Sequence, residues 1–154
     1  NTVITNCSNN YGPHQHDEKL IPTVIRKALK KEEIPVYGSG DNVRDWLYVK
    51  DHCSALMTVF QCGNAGEHYN IGGENEWKNI DLVRSICDIL NREVGKGPED
   101  DYQNLIAFVK DRPGHDFRYS VDIQKIKNEL GWEPTENFME KLAETVRWYI
   151  NRYS

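Results

Sequence analysis

The sequence predicts an α/β domain. Short β-branched and aromatic runs alternate with stretches whose apolar residues recur at helical spacing. Clusters of Gly, Pro, Asn and Asp punctuate them. The chain has 154 residues, 38% of them hydrophobic, which suits one core. There is no repeat, low-complexity tract or linker, so residues 1–154 read as one domain.

Thr2-Val3-Ile4-Thr5 is β-branched and predicts a strand. It opens without a Met or a flexible lead, as expected of an interior strand of a longer protein. Ser8 to Pro13 reads as loop. Leu20 to Lys31 predicts a helix, with Leu20, Ile21, Val24, Ile25, Ala28 and Leu29 on its apolar face and Pro22 tolerated in the first turn. Ile34 to Tyr37 predicts a strand ended by Gly38-Ser39-Gly40-Asp41, and Trp46 to Val49 another. Asp51 is placed to cap the next helix, whose expected core face is Ala55, Leu56, Val59 and Phe60.

His68 to Ile71 predicts a strand before Gly72-Gly73, and Ile80 to Val94 a helix stopped by Gly95. Gly95 to Asn104 reads as a charged surface loop, and Leu105 to Val109 as a strand. Asp122 opens a short helix that ends at Gly131. Asn137 and Glu140 resemble a capping box for a last helix with Phe138, Leu142, Val146, Tyr149 and Ile150 on one face.

A net charge of -5 argues against a nucleic-acid partner, although clustered Arg and Lys still admit anionic ligands. No apolar run reaches the length of a membrane span, and no signal peptide opens the sequence. Four irregularly spaced cysteines without a CxxC pair argue against a disulfide framework or zinc site, and for a cytoplasmic setting.

Two segments concentrate hydrogen-bonding side chains beside turn-forming residues: Ser8-Asn9-Asn10-Tyr11-Gly12-Pro13 and Asp111-Arg112-Pro113-Gly114-His115. Asn9 and Asn10 offer donors and acceptors that suit sugar hydroxyls, or they serve only the turn. Arg44 and Arg112 suit a diphosphate clamp, or they pair with Asp45, Asp111 or Asp116. Tyr37 is a stacking surface or core. Lys19, at a helix start, reaches a nucleotide or stays solvated. His14, His16, Asp17 and Glu18 lie close in sequence, but nothing distant completes a metal set, so no metal site is expected. Cys7 has no base placed beside it.

A Gly-x-Gly-x-x-Gly phosphate loop is absent from the sequence, and none of the eight tyrosines is followed by Lys four residues later. No catalytic residue is therefore expected within the chain.

Asn6 to Pro13, Glu18 to Pro22, Arg44 to His52, Tyr69 to Gly73 and Asp111 to Asp116, in that order, together resemble the C-terminal half of the dTDP-glucose 4,6-dehydratases. These are extended short-chain dehydrogenase/reductases, and the resemblance covers essentially the whole chain. It implies the substrate-binding portion of a Rossmann-type enzyme, with at least one strand of the parent sheet. Such enzymes oxidise the sugar at C4 with bound NAD, eliminate water across C5 and C6, and return the hydride to C6. Asn9 would contact the sugar nucleotide and Asn10 the NAD. Lys19, Leu20, Pro35, Val36 and Tyr37 would line the nucleotide pocket. Arg44, Asn79 and Arg112 would hold the diphosphate, with Asp111, Pro113, Gly114 and His115 completing the wall. The glycine-rich loop, the catalytic Tyr and Lys, the acid/base pair and the dimer helices would lie in the other half. The chain alone is expected to bind dTDP or dTDP-glucose without turning it over. A UDP-sugar epimerase or decarboxylase, or a non-catalytic binding module, is the alternative.

Overall fold

The computed structural model describes residues 2–95, 97 and 100–153. Strand β4 (Val43–Tyr48) organises it. Its side chains alternate between two faces, as extended backbone requires. Trp46 and Tyr48 join one hydrophobic core and Leu47 the other. The C-terminal part of β4 pairs in parallel with β2 (Asn9–Tyr11), Asn9 opposite Trp46 and Tyr11 opposite Tyr48. Its N-terminal part pairs antiparallel with β6 (Glu76–Lys78) and in parallel with the short β8 (Arg118–Tyr119). Two further parallel pairs flank this sheet: β1 (Ile4–Cys7) with β5 (His68–Ile71), and β3 (Ile34–Tyr37) with β7 (Ile106–Val109).

Helices α1 (Leu20–Leu29), α3 (Asn79–Val94) and α5 (Phe138–Tyr153) share the larger core. Ile21, Val24, Ile25 and Ala28 meet Leu82, Val83, Ile86, Leu142, Val146 and Tyr149 there. The smaller core joins α2 (Val49–Cys62) and α4 (Gln124–Leu130) through Ala55, Val59, Tyr69, Ile71, Ile123, Ile126 and Trp132. The ends of α4 and α5 follow the expected chemistry. Asp122 accepts the amide of Gln124, Gly131 is left-handed at φ 68°, and Asn137 accepts the amide of Glu140.

Several elements differ from the sequence reading. The first strand is Ile4–Cys7 rather than Thr2 to Thr5. Asn9 to Tyr11 is a strand within the expected loop, because β4 supplies its hydrogen-bond partners. β4 begins at Val43, since Arg44 and Asp45 find polar partners while buried, and α2 starts at Val49. Within the expected 95–104 loop, Tyr102–Leu105 forms a 3-10 turn with Tyr102 buried, while Lys96, Pro98 and Glu99 lie outside the described residues. Asp51 does not cap α2. Its buried carboxylate reaches across to accept from the Thr135 amide (3.3 Å), the Thr135 hydroxyl (3.1 Å) and the Glu136 amide (3.3 Å). Leu56 and Phe60 are not core: with Met57 they form an exposed apolar strip, and Phe60 is 85% exposed.

Asp51 therefore ties the connection before α5 to the start of α2. Removing a buried acceptor from three donors should cost about 2–4 kcal/mol. Urea unfolding of Asp51→Ala checks this. A loss below about 0.5 kcal/mol would show that the 135–136 segment is held by other contacts.

Candidate nucleotide-ligand site

Six stretches of chain converge on one cavity of about 850 Å³. β2 brings Asn9 and Asn10. The entrance to α1 brings Lys19 and Leu20, β3 brings Pro35 and Tyr37, and β4 brings Arg44 and Trp46. The first residue of α3, Asn79, and the 112–119 segment complete the lining. Asn79 is placed by the turn after β3, where the Asn42 carbonyl accepts its amide (2.9 Å) and the Gly40 carbonyl accepts that of Ile80 (3.0 Å). Gly40 adopts φ 77°, and a Cβ there would press on Ile80 and Val36 at 2.8 Å.

Arg44 is 8% exposed, yet among the described residues it forms no ion pair. Its guanidinium donates to the main-chain carbonyls of Val43 (2.7 Å) and Asp116 (2.8 Å). Its neighbour Asp45 faces the other side of β4 and accepts the amides of Gly73 (2.9 Å) and Asn75 (2.8 Å). Burial pushes the Arg44 pKa down. The positive charge of Arg112 adds to this, and Asp116 opposes it. Arg112 lies on the exposed loop across from Arg44. Asp111 accepts its amide (2.8 Å), and the side chain forms no ion pair among the described residues. The salt bridges open to both arginines on sequence grounds are thus not made, and two guanidinium groups face one cavity.

The loop carrying Arg112 is shaped by its own side chains. Asp111 Oδ1 lies 2.7 Å from His115 Nδ1, and Gly114 is left-handed at φ 69°. The His115 ring stands edge-to-face against Tyr37, with centroids 6.5 Å apart. Arg44 and Asn42 both hold the Asp116 carbonyl, and the Tyr119 hydroxyl donates to the Cys7 carbonyl at 3.3 Å. Around the cavity, Asn10 Oδ1, Gln15 Oε1, Asn79 Oδ1 and Trp46 Nε1 are buried without a protein partner. Native interiors rarely leave such atoms unpaired, so they are available to a ligand.

Asn9, Asn10, Lys19, Leu20, Pro35, Tyr37, Arg44, Asn79, Arg112 and His115 all line the cavity. Val36 does not: its side chain is in the core. Asp111, Pro113 and Gly114 shape the loop but are not among the lining residues. Gln15, Thr23, Trp46, Asp116 and Tyr119 line it without having been singled out as ligand residues. For Thr23, the spacing of three from Leu20 on a helix was the available signal. His14 packs on Trp148, and Asp17 accepts from Tyr153 (2.6 Å). Among the described residues no group of three or more His, Cys, Asp or Glu could hold a metal, and no helix is long and apolar enough to cross a membrane.

The family model described as GDP-mannose 4,6 dehydratase matches residues 1–145. The chain belongs to the GDP-mannose 4,6-dehydratase family. Within that family it is similar to a dTDP-glucose 4,6-dehydratase of Shigella flexneri, at 56% identity over 97% of this chain and 41% of that protein. The dTDP-glucose 4,6-dehydratase of Streptomyces venezuelae, solved with NAD and TYD bound, superposes with a TM-score of 0.85 at 44% identity, over 97% of this chain and 44% of that one. A UDP-glucose 4-epimerase of Thermotoga maritima, solved with UDP-glucose, superposes at 0.84 with 26% identity, over 99% and 47%. The chain thus spans less than half the length of the relatives it matches.

The Asp111 contact has a pH signature. The hydrogen bond from His115 holds the Asp111 carboxyl below the usual carboxylate range, and the Arg112 amide and charge act the same way. A carboxyl depressed in the folded state supports the loop above its unfolded pKa of about 3.9, and that support is lost as pH falls through the lower folded value. Carbon-detected NMR should show Asp111 titrating below the ordinary aspartate value of about 3.9. An ordinary midpoint would mean that the His115 contact does not persist in solution.

Proposed function

We propose that this chain is the sugar-nucleotide-binding part of a dTDP-glucose 4,6-dehydratase, the enzyme that converts dTDP-glucose to dTDP-4-keto-6-deoxyglucose and water. The observation that carries the reading is the pair of arginines, Arg44 and Arg112, lining one cavity with no ion pair to either among the described residues. A diphosphate is the ligand such a pair suits, because each guanidinium can grip phosphate oxygens bidentately. Buried Arg44 sits at the cavity wall, while Arg112 comes in on a loop set by Asp111 and Gly114. Asn79 presents its amide from the start of α3. Pro35, Tyr37 and His115 form an apolar and aromatic face for the base, with Lys19 and Leu20 opposite. Val36, Asp111, Pro113 and Gly114 support that wall, and Asn9 takes sugar hydroxyls.

NAD supplies, when bound, a transient acceptor for the C4 hydride. Asn10 is the contact this chain offers it. Its amide nitrogen is committed to the Ser8 carbonyl (3.1 Å), and its buried Oδ1 is left for one donor of the cofactor. The Tyr-x-x-x-Lys pair is not in this sequence, so proton abstraction and return fall to the part of the enzyme beyond it. The chain alone binds without turnover, which an assay with NAD and dTDP-glucose checks directly. That further part packs on the exposed strip of α2 and the open edge of β1, and carries the dimer contacts. Four free cysteines suit a reducing cytoplasm.

Calorimetric titration of the chain with dTDP and with UDP tests the assignment. Preferential dTDP binding is expected, and Arg112→Ala should weaken it by about 1.5–3 kcal/mol. UDP binding equal or tighter would favour the epimerase reading that the fold shared with the UDP-glucose 4-epimerase leaves open. Unchanged affinity in Arg112→Ala would remove that arginine from the site.

A further inference from the structure

The cavity that the arginines line also carries buried acceptors. Gln15 lies on the connection between β2 and α1, and it is pinned from two sides. Its Nε2 donates to the Asn10 carbonyl at 2.7 Å, and its own carbonyl accepts the Tyr149 hydroxyl at 2.7 Å. The Tyr149 bond fixes the main chain, and the Asn10 bond settles which end of the side-chain amide is free. An atom 2.7 Å from a carbonyl oxygen must be the nitrogen, because two oxygens without a proton would repel. Gln15 Oε1 is therefore the free end, and it is buried, unpartnered and part of a cavity-lining side chain. The same reasoning applies to Asn10, whose Nδ2 is held by the Ser8 carbonyl (3.1 Å) and the Cys7 sulfur (3.3 Å), leaving Oδ1 free. Two amide oxygens, each locked by a main-chain contact, thus line one cavity.

Such oxygens cannot serve the phosphates, which offer no donor at neutral pH and would be repelled. They require a ligand group that donates. We propose that Gln15 is a specificity-determining residue of this cavity, whose amide oxygen accepts a hydrogen bond from a hydroxyl of the ligand's hexose. The inference rests on the sugar-nucleotide reading and deepens it: the arginines hold the diphosphate, and the preset amide oxygen of Gln15 reads the sugar. Neutral hexose hydroxyls satisfy the buried acceptor when they bind. A ligand ending at its diphosphate leaves it bare.

The test compares dTDP-glucose with dTDP on the same protein by calorimetry. The wild-type chain should bind dTDP-glucose more tightly than dTDP. Gln15→Met, which keeps the length and removes the acceptor, should lose about 5- to 10-fold for dTDP-glucose and less than about 2-fold for dTDP. If wild type binds dTDP but gains nothing from the hexose, or if Gln15→Met weakens both ligands equally, the proposal is overturned while the diphosphate assignment stands. A loss for NAD alone would overturn it too, assigning the oxygen to the cofactor's donors. Failure of wild type to bind dTDP at all would sink the underlying reading, and the inference with it. A ligand-side variant guards against a misfolded mutant: dTDP-4-deoxy-4-fluoroglucose and dTDP-6-deoxyglucose each remove one donor hydroxyl. At least one of them should bind wild type several-fold more weakly than dTDP-glucose, and no change for either would contradict a hydroxyl contact at C4 or C6, the positions nearest the reacting bonds.

Discussion

The buried carboxylate of Asp45 sets the relation between the two faces of the central strand. It accepts the amides of Gly73 and Asn75, locking the turn between β5 and β6 against β4. The approach is close: any side chain at Gly73 would collide with the Trp46 carbonyl. With that turn locked, β6 runs antiparallel beside β4, and α3 starts where Asn79 enters the cavity. Because Asp45 is engaged on its own face, Arg44 on the opposite face has no adjacent carboxylate to neutralise it. It turns instead to main-chain carbonyls while lining the cavity. One strand thereby separates a structural carboxylate from a cavity-lining guanidinium, using only the period of two of extended backbone.

The same separation explains how a chain of net charge -5 builds a site suited to an anion. Many of its acids are held in surface pairs with Lys or Arg, such as Glu76 with Arg118 and Asp41 with Lys78. Those pairs contribute little stability, and among the described residues none of them takes up Arg44 or Arg112, although Asp116 partly offsets the charge of Arg44. In a half-enclosed cleft, local charge counts for more than the distant sum.

Much of this was legible in the sequence where one residue type has one physical use. Gly131 and Asn137 ended and began helices as their chemistry dictates, and the segments pairing Asn or Arg with Gly and Pro lie at the cavity. What was not legible depends on partners far away along the chain. Arg44 and Asp45 hid the start of β4 because charged residues argue against a buried strand until their distant acceptors and donors are known. Asp51 looked like a cap because its true partners, Thr135 and Glu136, are more than eighty residues on. The α2 periodicity marked Leu56 and Phe60 as core, but they are exposed among the described residues. Gln15 carried no signal at all, since its role follows from which end of its amide the Asn10 carbonyl occupies.

The central claim is that Arg44, Arg112 and Asn79 form one anion-holding wall. The most direct measurement is a nitrogen–proton NMR titration of the labelled chain with dTDP. Perturbations concentrated at the Asn42–Arg44 strand start, at Asn79 and Ile80, and along Asp111 to Asp116 are expected, with the surface around Glu74 and Asp122 silent. Saturable shifts elsewhere, or none in these three segments, would contradict it.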